Sequence, residues 1–192
     1  MTKTALLLID LQKEVLDPKG TLNEDLPRFL PRLLEATREL VGWARQHQLP
    51  VIWVRMGFRP GYVDASRSVR GSAMARAGLL LDGSWGAEIV DGVGRKDDDI
   101  VITKKRTSAF FRTDLDFVLR GLGVDRLVIG GTSTHWAVES TVRDAEALDY
   151  DVVVVSDATG SRQAEFHESS LRCISRRFGK VMTAQEAVHL AT

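Results

Sequence analysis

A carboxylate, a cluster of cations and a turn of small residues are the groups in this sequence whose types and positions could do chemistry. Asp10 follows the apolar run ALLLI directly, Lys104, Lys105 and Arg106 follow DIVIT, and Thr132, Ser133, Thr134 and His135 follow RLVIGG. A carboxylate at the end of a buried strand either caps a turn or performs proton chemistry, and its position alone leaves both open. In KKR, one or two of the three cations would ordinarily be solvated. In LVIGGTSTHWAVES an apolar strand runs into two glycines, then small hydroxyl residues, then a helix starting near Trp136. Backbone N–H groups should therefore converge on one point, with Ala137 at its centre and the positive end of a helix dipole facing it.

Other reactive side chains offer less. His135 could cap a helix or line a pocket, while His47, His167 and His189 fall in helical segments with no shared ligand spacing, so no catalytic metal is expected. Cys173 shares a helical register with Leu171, Ile174 and Phe178 and reads as a small buried hydrophobe, not a nucleophile. The glycine-rich stretch GVGRKDDD has neither dinucleotide nor P-loop spacing, and no cofactor is expected.

These groups are positioned by short apolar runs that do not alternate, as strands covered on both faces do not: ALLLID, VIWVR, RLVIGG and DVVVVSD, with a weaker strand at DIVITK and a last one near KVMT. Helix-period segments lie between them, notably LPRFLPRLLEATRELVGWARQHQ and WAVESTVRDAEAL. That alternation predicts an α/β fold with a doubly wound, mainly parallel sheet and helices on both faces. Pro27 and Pro31 fit an early helical turn, and Pro50 stops that helix before the second strand. The segment from Met56 to Gly94 is irregular, rich in Gly, Arg and Ser, and long enough to cover a ligand site.

In an open parallel sheet, ligands bind beyond the carboxyl ends of the strands. Those ends deliver Asp10 and Gln12, Arg55, the triplet Lys104 to Arg106, Thr132 to His135, and Asp157. Trp53, Arg55, Trp85, Phe110 and Trp136 suggest aromatic walls and a cation for a planar or carboxylate-bearing ligand. For each tryptophan, core packing or a subunit interface is the alternative.

The chain has 192 residues, 44% of them hydrophobic and 27% charged, which suits one domain spanning 1–192. With 26 basic and 26 acidic residues and no long run of either sign, nucleic acid and anionic membrane are not expected partners; a small molecule is. A single cysteine excludes an intrachain disulfide, and the N-terminal apolar run is too short for a signal peptide or a membrane span. A reducing, cytoplasmic setting is expected.

Taken in order, ALLLIDLQ, ITKKRTSAFFRTDL, and VIGGTSTHWAVESTVRDA with VVVVSDAT resemble the isochorismatase-like hydrolase superfamily over nearly the whole chain. The resemblance implies a six-stranded sheet in a three-layer sandwich, assembly into homo-oligomers, and a cis peptide between Thr132 and Ser133. In the family's cysteine hydrolases an Asp, a Lys and a Cys form the catalytic group. Asp10 matches the first, Lys104 the second, and Ala137 occupies the cysteine position. An alanine methyl cannot attack a carbonyl, so cysteine-type amidase chemistry is not expected. The isochorismatases proper, which cleave a vinyl ether, also carry a small residue there, some with a histidine where His135 stands. The resemblance therefore implies a hydrolase acting through Asp10 and Lys104 without a nucleophile; strand-end position and aromatic or polar chemistry make Gln12, Arg55, Trp85, Phe110, Thr132, Ser133, His135 and Trp136 the candidate substrate contacts. Two alternatives stay open: a cysteine amidohydrolase whose nucleophile has been replaced by alanine, and a non-catalytic relative that binds small molecules.

Overall fold

The computed structural model describes residues 2–22 and 29–190; Pro27 lies outside them. In chain order the elements are β1 (Thr4–Ile9), α1 (Lys13–Leu16), α2 (Leu30–Gln46), β2 (Val51–Met56), α3 (Val69–Arg76), β3 (Ile100–Lys104), α4 (Leu115–Gly121), β4 (Arg126–Thr132), α5 (Glu139–Ala147), β5 (Asp151–Gly160), α6 (Ala164–Arg177), β6 (Lys180–Met182) and α7 (Ala184–Ala187). The six strands form one sheet in the order β3-β2-β1-β4-β5-β6. Every neighbouring pair is parallel.

The apolar strands divide their side chains between two cores. Ala5, Leu7 and Ile9 of β1 pack with Leu115 and Leu119 of α4, Val142 and Ala145 of α5, and Ile174 of α6. Leu6 and Leu8 pack on the opposite face with Leu33, Leu40 and Trp43 of α2 and with Ala184 and Ala187 of α7. Because successive strand residues point to opposite faces, a strand buried on both is a nearly continuous apolar run, and all six residues of β1, from Thr4 through the run Ala5 to Ile9, are buried. The result is a helix–sheet–helix sandwich. No described helix is long and apolar enough to cross a membrane.

Winding runs outward from β1 through β2 to β3, then returns to place β4 on the other side of β1. The order reverses between β1 and β4, where the crevice at the carboxyl ends opens. Two local features differ from the sequence reading. A π-helical turn over Thr134–Val138 precedes α5, and β5 runs on to Gly160 with a register shift opposite Ile129 and Gly131. That shift directs Asp157 away from the crevice: its carboxylate pairs with Arg32 at 2.5 Å and accepts from the Ala184 amide at 2.8 Å.

The segment after β2 is ordered by its own contacts. Phe58, Met74 and Leu80 form a small core, Phe58 bridges to Leu81 and Gln12 to Ile89, and Ser68 caps α3 through the Gly71 amide at 3.2 Å.

Candidate active site

Asp10 is the residue at which the chain leaves β1. Its amide still donates to Val54 at 2.8 Å, but its φ of 52° is left-handed, a conformation Asp tolerates better than most side chains. The Asp10 carbonyl accepts from Thr132 Oγ1 at 2.9 Å, tying the ends of β1 and β4 together. Gly131 permits that approach: its φ is 130°, and a Cβ there would lie 2.1 Å from the Ile9 carbonyl oxygen. The peptide between Thr132 and Ser133 is cis.

Lys104 ends β3, two strand spacings and about 10 Å from β1. Its fully buried side chain spans that distance to place Nζ 2.7 Å from Asp10 Oδ2. The same ammonium donates to the carbonyls of Thr107 at 2.9 Å and Arg106 at 3.2 Å. An ammonium has three N–H bonds, so the Asp10 carboxylate and these two carbonyls engage all of them. Among the described residues, Asp10 Oδ1 is buried and makes no hydrogen bond of ordinary geometry. Burial pushes the Asp10 carboxyl above its ordinary value, outweighing the opposite pull of Lys104, of the more distant Arg70 and of the Met56 backbone.

The other two cations of the triplet hold the covering segment instead of facing solvent. Lys105 pairs with Asp64 at 3.4 Å and donates to the Gly57 carbonyl, while Arg106 donates to the Asp64 carbonyl at 2.8 Å. On the other wall, Thr141 Oγ1 accepts from the Ala109 amide at 3.0 Å and donates to the Ala137 carbonyl at 2.7 Å, coupling the segment after Lys104 to the turn after β4.

These walls enclose a cavity of about 510 Å³ lined by Asp10, Lys104, Thr132, Ser133, His135, Trp136 and Ala137. The covering segment adds Phe58, Met74 and Arg70. The Arg70 guanidinium lies over the Trp136 ring, 3.8 Å from its centroid. Burial lowers the Arg70 value, neighbouring Arg162 lowers it further, and Asp10 raises it; an arginine remains charged regardless. Arg70 and Arg162 both line the cavity, and the sequence reading missed both. The available signal was weak: for Arg70, an arginine in the irregular segment with Ser68 as a possible helix cap, and for Arg162, an arginine two residues past a strand whose end the sequence placed at Asp157.

Several residues expected here do other work. Gln12 reaches the cavity wall, but its amide is spent on Met56 and Ala87 carbonyls at 2.7 and 3.0 Å, and its carbonyl accepts from the Met56 amide at 2.8 Å. Arg55 turns to Asp82 at 2.5 Å and anchors the covering segment. Trp85 stands 41% exposed outside the cavity lining. Phe110 stacks on Tyr150 with centroids 5.8 Å apart, and Trp53 packs in the α2 core with Nε1 donating to Asp99 at 2.8 Å. Cys173 is half-buried on α6, beside Arg143 at 3.5 Å and away from the cavity lining.

A family described as isochorismatase domain matches residues 4–186. The chain is 34% identical to the uncharacterized isochorismatase family protein YwoC of Bacillus subtilis over 186 residues, 96% of this chain and 92% of the relative. It is 33% identical to the ureidoacrylate amidohydrolase RutB of Methylobacterium radiotolerans, covering 93% of this chain and 75% of that one. Among solved structures, it superposes on an isochorismatase family protein from Desulfovibrio vulgaris with a TM-score of 0.89 at 31% identity, covering 97% of each chain. A cysteine hydrolase from Pseudomonas syringae also gives 0.89, at 28% identity over 97% of this chain and 91% of that one.

Proposed function

The chain belongs to the isochorismatase family of hydrolases, and from that premise we propose that it hydrolyses a small carboxylate- or carbonyl-bearing metabolite without a cysteine nucleophile, by chemistry of the vinyl-ether type. The observation that carries this reading is a buried carboxyl raised above its ordinary value, with Oδ1 making no hydrogen bond of ordinary geometry among the described residues, in a cavity where residue 137 is alanine.

A protonated Asp10 is a general acid. It would deliver its proton to the methylene carbon of the enol ether, forming a C–H bond and leaving an oxocarbenium ion. Water adds to that ion and gives up a proton to the Asp10 carboxylate, and the hemiketal then breaks its C–O bond, its hydroxyl proton passing to the departing oxygen, to release a ketone and an alcohol. Lys104 has no donor left for substrate, so its role is to hold Asp10 in place and to stabilise the carboxylate formed on proton transfer. Arg70, fixed over Trp136, is the cation placed to hold a substrate carboxylate. The first helical turn, Thr134–Val138, adds a positive dipole end. The same reading has the protein working as a cytoplasmic homo-oligomer on a small molecule, independent of metal and cofactor.

Turnover of isochorismate or a simpler vinyl ether by the unmodified protein, abolished in folded Asp10→Asn, is the expected result. Failure to turn over any vinyl ether, ester or amide would instead favour a binding protein. The similarity to an amidohydrolase favours a second reading, a cysteine amidohydrolase scaffold lacking its nucleophile; amide hydrolysis gained by Ala137→Cys, without vinyl-ether activity in the unmodified chain, would select it.

A further inference from the structure

His135 lines the same cavity, and its hydrogen bonds decide which ring nitrogen carries the proton. Ser161, fully buried, places Oγ 2.9 Å from His135 Nδ1 and 3.3 Å from the His135 backbone nitrogen. The backbone N–H can only donate, so Ser161 Oγ accepts it. That leaves the hydroxyl proton, and Nδ1 is the acceptor the structure sets before it. A buried hydroxyl left without an acceptor is disfavoured, so Nδ1 accepts and the ring proton resides on Nε2. Phe166 packs against the ring at 5.1 Å and restrains it, and Nε2 has no protein partner among the described residues.

We propose that Ser161 locks His135 in its Nε2–H form, making His135 a specificity-determining donor that selects ligands presenting a carbonyl, carboxylate or ether oxygen to this wall of the cavity. The ring is neutral in that role. Burial lowers its value, Glu139 on the following helix raises it, and Arg70 from α3 lowers it. An Nε2–H donor admits an acceptor oxygen and rejects an ammonium or amide N–H at the same place. Ser161 is a positioning residue: it acts on ligand only through the imidazole. The inference rests on the cavity being the ligand site, as proposed above, but not on the reaction performed there.

Nitrogen-15 NMR of the ring reads the proton's location directly, with pyruvate as the probe of the cavity. The unmodified protein should show a protonated Nε2 and an unprotonated Nδ1, and the Nε2 resonance should shift on titration with pyruvate. His135→Phe should weaken pyruvate binding by about tenfold, the loss of one hydrogen bond to a charged acceptor. Ser161→Ala should weaken it less and give a mixture of the two ring forms. A proton on Nδ1 in the unmodified protein, or an Nε2 resonance unmoved by pyruvate, would overturn the inference. Absence of vinyl-ether turnover with the Nε2–H form and its pyruvate response intact would count against the reaction alone.

Discussion

Replacing Lys104 with Met removes the ammonium and keeps an unbranched apolar side chain, so the change isolates the charge. Breaking one side of a buried ion pair costs about 3–5 kcal/mol. The Asp10 side chain is 14% exposed toward the cavity, so water offsets part of that loss and the lower end applies, about 3 kcal/mol. The carbonyls of Arg106 and Thr107 also lose their donor, while the methionine gains apolar burial of similar size. For a chain of this length the corresponding fall in Tm is about 6–12 °C. The loss should depend on pH. Asp10 titrates above its ordinary 3.8 in the folded protein, so its contribution is fully favourable below that value and is lost as pH rises through the raised one. Without Lys104 the carboxyl rises further, and the deficit of Lys104→Met should therefore widen as pH rises from the acid side, above the ordinary 3.8, toward neutrality. Urea denaturation of both proteins across that range measures it. Repeating the substitution in an Asp10→Asn background should cost less, because the two groups are coupled. A loss below about 1 kcal/mol that is flat with pH, or equal in both backgrounds, would mean that the pair is not the buried unit described here.

Asp99 joins Arg45, Trp53 Nε1 and the Lys96 amide in one nearly buried cluster, and these contacts hold its carboxyl below its ordinary value despite burial. Its contribution is present above the ordinary 3.8 and is lost as pH falls through the lowered value, so Asp99→Asn should be about 2–4 kcal/mol less stable at neutral pH and show a shallower acid limb in denaturant titrations. Gly131→Ala drives a methyl into the Ile9 carbonyl and should cost more than about 2 kcal/mol by chemical denaturation, with near-normal stability refuting the tight β1–β4 approach. Ala137→Cys sets a thiol at a helix start beside cationic residues, so alkylation followed by mass spectrometry should modify residue 137 in preference to Cys173. An inert thiol there would make the turn merely structural.

Local patterns were enough to read the sheet and one half of the site. Unbroken apolar runs such as ALLLI and RLVIG can be satisfied only by strands buried on both faces, and their alternation with helical segments dictates parallel winding and a crevice beyond their carboxyl ends. Asp10, the triplet Lys104 to Arg106 and the turn from Thr132 were placed at the crevice by that geometry, because each stands at or just past a strand end, whereas singling out Lys104 and Ala137 came from the resemblance to the isochorismatase-like superfamily. What stood further along the chain did not follow. Arg55, Trp85 and Phe110 have the right chemistry, but Arg55 turns to Asp82 and Phe110 to Tyr150, partners that strand patterns do not name, and Trp85 stands partly exposed outside the cavity lining. The register shift in β5 likewise redirected Asp157 to Arg32 and the start of α7. Arg162 stands two residues past β5, which runs three residues beyond the apolar run DVVVVSD, and Arg70 enters the cavity from a segment folded over the crevice by a small core of Phe58, Met74 and Leu80 and by the grip of Lys105 and Arg106 on Asp64. Strand ends are set by periodicity that short windows of sequence carry, whereas the path of a long covering segment is set by contacts between residues far apart in the chain, and those exist only once the sheet has brought them together.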